Sequence, residues 1–168
     1  FGSCTREVII AQAKKQDDGT IGSKDQWRVS HNIMSDMFIP ENLSLRLKYD
    51  PDMNEMAFGP LIGVLRKDVG PAEKPFKNAT LLMQKVSEYS VNIGGQAIVF
   101  DPTSIRKAEA NSNLILVDGF VWSGNSWEQV TTPLPVALYD KETSWNSAVN
   151  NYNDYTEANI YYTNPPEL

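Results

Sequence analysis

Cysteine and histidine are almost missing from this chain of 168 residues, which carries one of each, Cys4 and His31. An intramolecular disulfide is thereby excluded, and a zinc site built from Cys and His would have too few ligands. Cys4 reads as a small residue on a terminal strand rather than a reactive thiol. His31 reads as a residue capping or flanking a short helix, because no paired Ser, Cys or carboxylate motif surrounds it. No apolar run approaches the roughly 18 residues that a membrane span needs, and no secretory signal is visible. Residue 1 is Phe rather than Met, so an upstream piece is expected to have been removed. There is no G-x-x-x-x-G-K-[ST] phosphate loop and no G-x-G-x-x-G after a strand. A G-x-S-x-G elbow and an H-E-x-x-H zinc motif are also missing. A stand-alone enzyme would need a catalytic constellation that these residues do not assemble.

Positive charge is scarce as well. The net charge is −6, and the basic residues are scattered, clustering no further than Lys14-Lys15 or Arg66-Lys67. Such a surface repels phosphate backbones, so nucleic acid is not an expected partner. What the chain does contain is ordinary for a globular protein. With 41% apolar and 21% charged residues, it can bury a sizeable core without disulfide or metal staples.

The pattern along the chain changes near Gly59-Pro60. Residues 1–60 lean towards β-structure. Residues 5–11 carry β-branched side chains, and Asp18-Gly19 is a hairpin signal. Residues 30–38 predict a short helix, with Ser30 as N-cap, an apolar face of Ile33, Met34, Met37 and Phe38, and Pro40 closing it. Residues 43–49 alternate apolar and polar, the period of a strand with one wet face. Asp50-Pro51-Asp52 then turns the chain, and residues 55–58 return as the second arm of a hairpin.

From residue 61 the order becomes strand, loop, helix, strand, which predicts an α/β domain over residues 61–168, with a doubly wound sheet. The run Leu61–Leu65 sits between a breaker pair and Arg66-Lys67-Asp68, as a buried strand would. Residues 76–91 predict an amphipathic helix with Phe76, Ala79, Leu82, Met83, Val86 and Tyr89 on one face, stopped by Gly94-Gly95. Further strands are expected over residues 96–100, 114–117, 119–122, 126–130, 135–139 and 159–162, with a turn at Ser123-Gly124-Asn125 and a helix over residues 143–155. The Trp122/Trp127 pair reads as cross-strand packing rather than a ligand platform.

In open α/β sheets, ligands sit beyond the carboxyl ends of the strands. Here those ends deliver Arg66, Lys67 and Asp68, then Asp101 and Thr103, then Asp140, Lys141 and Glu142. Lys67, Lys74 and Lys77 lie near one helix N-terminus, where an anion could be held by charge and free amides. The ligand-binding candidates are therefore Lys67, Asp68, Lys74, Lys77, Asp140 and Lys141, set against the plainer reading of solvated loop ends. No catalytic or metal-ligating residue is identified.

Several stretches also match a known family. Tyr49-Asp50-Pro51, followed by Phe58-Gly59-Pro60-Leu61-Ile62-Gly63-Val64-Leu65, resembles a stretch of the YheC/YheD family, endospore coat-associated proteins of the ATP-grasp superfamily. Phe1-Gly2-Ser3, Gly119-Phe120-Val121-Trp122, Trp127, Pro133-Leu134-Pro135, Leu138-Tyr139-Asp140-Lys141 and Ile160-Tyr161-Tyr162-Thr163-Asn164-Pro165-Pro166 follow in the family's order. Lys141 departs from the pattern, which has arginine there.

The resemblance covers only the family's N-terminal half. It implies a β-rich segment, residues 1–60, leading into a Rossmann-like pre-ATP-grasp domain, residues 61–168. No cofactor is expected in this chain; ATP and magnesium would bind only with the C-terminal ATP-grasp domain that it lacks. The implied role is a non-catalytic scaffold and substrate side of a ligase-like bacterial sporulation protein, located in the mother-cell cytoplasm or at the spore coat or surface. Implied partners are the protein's own ATP-grasp domain or spore coat proteins. The alternatives are a stand-alone assembly module that self-associates through C-terminal aromatics such as Trp145 and Tyr152, and a small-molecule binder using Lys67 and Lys77.

Gly59-Pro60 leaves no flexible linker between the two segments, so both should unfold together. Chemical denaturation followed by tryptophan fluorescence and by far-UV circular dichroism should give one coincident transition; two separated transitions would mean independent segments.

Overall fold

The computed structural model describes residues 29–40, 43, 45–67, 69–109, 114–140 and 161–163. The strand expected over residues 5–11, the turn at Asp18-Gly19 and the helix expected over residues 143–155 lie outside them. The described chain is mixed α/β and mostly strand.

Helix α1 (His31–Asp36) begins where Ser30, in an extended conformation, accepts a hydrogen bond from Ile33 N at 3.4 Å. It ends at Phe38, whose φ of +51° breaks the helical path before Pro40. Strands β1 (Leu47–Asp50) and β2 (Glu55–Phe58) form an antiparallel hairpin pairing Leu47 with Phe58 and Asp50 with Glu55. At its turn, Asp50 Oδ1 accepts from the amides of Asp52 and Met53, while Asn54 takes a left-handed φ of +52°. The alternating run thus pairs only from Leu47 onward; Leu43 and Leu45 instead pack as half-buried residues against the core.

Strand β3 (Leu61–Leu65) is the organising strand of a seven-stranded sheet. It has a parallel neighbour on each side, β4 (Gln96–Phe100) and β8 (Ala137–Asp140), so the parallel part of the sheet grows in both directions from it. Such strands are covered on both faces and read as continuous apolar runs, and β4 is buried at every position. Beyond β8 lies β9 (Tyr161–Thr163), again parallel. On the other side β4 meets β6 (Ile115–Trp122), which pairs antiparallel with β7 (Trp127–Pro133) along its length and with the two-residue β5 (Arg106–Lys107) at one end. The two strands expected over residues 114–117 and 119–122 are therefore one, because Asp118 and Gly119 continue the ladder opposite Thr131 and Val130.

Helix α2 (Thr80–Asn92) crosses between β3 and β4 and starts later than its apolar pattern suggests. Phe76 is non-helical, and a 3-10 turn (Lys77–Ala79), entered with Lys77 at φ +49°, precedes the helix. Its buried row is Met83, Ser87 and Ser90, whereas Leu82 and Tyr89, expected inside, are exposed. Small serines at this row let the helix backbone lie close to the sheet, which rotates Leu82 and Tyr89 outward. The helix stops at Gly94, whose φ of +84° suits glycine.

The sheet carries a core on each face. One holds Val64, Phe76, Met83, Ala97, Val99, Phe120 and Trp127 beneath α2. The other holds Leu61, Leu65, Ile98, Phe100, Val117, Val121, Leu134 and Leu138, closed by Met37 and Ile39. Residues before Gly59 thus share the core of the main sheet. Two hydrogen bonds of Arg46 add to this join: Arg46 N to Gly94 O, and Gly59 N to Arg46 O.

Phe100 is fully buried beside two strand positions that carry no side chain. A Cβ at Gly119 would lie 2.7 Å from Val99 O and 2.8 Å from Phe100 Cβ, and one at Gly63 would lie 3.0 Å from Phe100 Cε1. The neighbours of Gly119 include backbone, which cannot rotate away. Gly119→Ala should therefore lower unfolding free energy by about 1–3 kcal/mol, as overpacking does. An unchanged urea midpoint would mean that strands β4 and β6 can separate without cost.

Candidate functional site

The carboxyl ends of β3 and β4 open into a half-open cleft of about 300 Å³. One wall is the loop after β3, from Val69 to Ala72, held in shape by Gly70 N donating to Pro75 O at 2.7 Å. The opposite wall is the exit of β4. There Asp101 caps a 3-10 turn (Pro102–Ser104), its Oδ1 accepting from Thr103 N at 2.9 Å and from Thr103 Oγ1 at 2.7 Å. Asp118, Phe120 and Gln129, on the α2 side of the β6–β7 ladder, complete the lining. Ser104 also lines the cleft, and its hydroxyl oxygen is buried with no hydrogen-bond partner among the described residues.

Asp118 is the most constrained ionisable group in the cleft. Arg106 donates to it twice, Nε to Oδ2 at 3.1 Å and Nη2 to Oδ1 at 3.2 Å, and Thr131 Oγ1 donates across the ladder to Oδ1 at 2.5 Å. Burial is the largest single influence and pushes the carboxyl up. Together the hydrogen bonds from Arg106 and Thr131 and the Arg106 charge outweigh it, so the carboxyl titrates below its ordinary value. The bond to Asp118 holds the Arg106 guanidinium above its own ordinary value, against burial. The cleft therefore presents the carboxylates of Asp101 and Asp118 and the amide of Gln129, and among the described residues no Lys, Arg or His lines it. It offers polar contacts to a ligand but no nucleophile paired with a base.

The lysines expected to hold an anion are not part of this cleft. Lys67 is half-buried just beyond β3, while Lys74 and Lys77 are exposed on the loop leading to α2; none of the three lines it. Asp140 ends β8 opposite Leu65, so the chain leaves β3 and β8 side by side there. Asp68 and Lys141 lie outside the described residues. Ser104, Asp118 and Gln129 went unnoticed as site residues. Asp118 carries a signal in retrospect, a lone charge inside the apolar run of β6; Ser104 and Gln129 carry none. The tryptophan pair packs across its hairpin: Trp122 and Trp127 are register partners with ring centroids 5.4 Å apart, and Phe76 meets Trp127 edge-on at 4.8 Å.

Among curated proteins, the endospore coat-associated protein YheD of Bacillus subtilis (strain 168) is 26% identical over 116 residues, 67% of this chain and 24% of that protein. The chain is similar to YheD. It spans about a quarter of YheD's length. No family model matches the chain, and no solved structure matches it.

A carboxyl titrating low in the fold stabilises the fold fully above its unfolded value, near ~3.9. That contribution is lost as pH falls through the lower folded value. Asp118→Asn should therefore lower the melting temperature near neutral pH, and the gap to the parent should narrow below about pH 4. Thermal scans across that range check this; a gap that does not depend on pH would show that the ion pair contributes nothing through its charge.

Proposed function

We infer that this chain is the front part of a spore-associated, YheD-like protein of ATP-grasp type, serving as its non-catalytic scaffold and substrate side. The observation that carries this reading is the similarity to an endospore coat-associated protein over 67% of the chain. In it, residues 61–168 are the Rossmann-like pre-ATP-grasp domain. The parallel strands β4, β3 and β8, with α2 crossing between β3 and β4, support this part of the reading. ATP and magnesium then belong to a region outside this sequence.

Exposed Leu81, Leu82, Tyr89 and Ile93 on and just after α2 favour a partner surface on that side. The ATP-grasp region of the same protein is the partner this reading prefers. The second reading, a coat module that assembles with itself or with other coat proteins, draws on the same exposed side chains. No helix among the described residues is long and apolar enough to cross a membrane.

Two measurements test the proposal. Fused to a fluorescent protein and expressed in sporulating Bacillus subtilis, the chain should outline the developing spore. Diffuse fluorescence in the mother cell would remove the spore association. Calorimetric titration of the chain with ATP and magnesium should show no binding, and saturable binding would place nucleotide recognition in this part and overturn the scaffold role.

A further inference from the structure

We draw no further inference here: the strongest candidate, the exposed apolar face of α2 with Leu81, Leu82, Tyr89 and Ile93, is the partner surface already described, and nothing in the structure shows what covers it.

Discussion

The buried ring of Phe100 and the missing side chains beside it set the geometry on which the rest of this structure depends. Phe100 lies on β4, and its neighbours β3 and β6 present Gly63 and Gly119 at the points where it would otherwise collide. Three adjacent strands can therefore close around one large aromatic side chain at normal sheet spacing. The residues that follow in sequence inherit their positions from this contact. Asp101 leaves the sheet directly after Phe100, and Phe120 turns to the opposite face directly after Gly119. Both line the cleft, whose other wall is the loop from Val69 to Ala72.

The opposite ends of β3 and β4 are held by backbone contact rather than by side chains. Gly59-Pro60 meets Gly94-Gly95 so closely that a Cβ at Gly95 would lie 2.5 Å from Pro60 O. Arg46 bridges the two pairs, donating to Gly94 O and accepting from Gly59 N. The β1–β2 hairpin and the α1 segment are thereby attached to the sheet, and Met37 and Ile39 fill its second face. The sheet is covered on both faces, by α2 against β4 and β6 on one side and by Met37 and Ile39 of the α1 segment on the other. The carboxyl ends of β3 and β4 stand open at the cleft.

Electrostatics at that open end depend on pairing rather than on the number of charges nearby. The loop after β3 carries Lys67 and Lys74, and Lys77 follows it, but none lines the cleft, and Lys74 and Lys77 are exposed where water screens their fields. Arg106 is near enough to matter, yet its guanidinium is occupied by Asp118. What remains facing the cleft is acidic, although three lysines lie nearby in sequence.

Local pattern alone was sufficient for much of the fold. The breaker pairs at Gly59-Pro60 and Gly94-Gly95, the apolar runs of β3 and β4, the Ser30 cap and the Ser123-Gly124-Asn125 turn are consequences of near-neighbour chemistry, and the elements follow them. Tertiary structure decided what local pattern leaves open. The rotation of α2 was chosen by how closely Ser87 and Ser90 let it approach the sheet, not by its count of apolar residues. The fusion of two short runs into β6 was chosen by the ladder with β7, which carries Asp118 and Gly119 along. The cleft was the least legible part, because the Asp101–Ser104 turn, Asp118 on β6 and Gln129 on β7 meet only when β4 pairs with β6 and β6 with β7. Sequence specifies each residue's conformation through neighbours a few positions away, whereas a binding site is a relation between residues far apart in the chain, and only long-range packing can establish that relation.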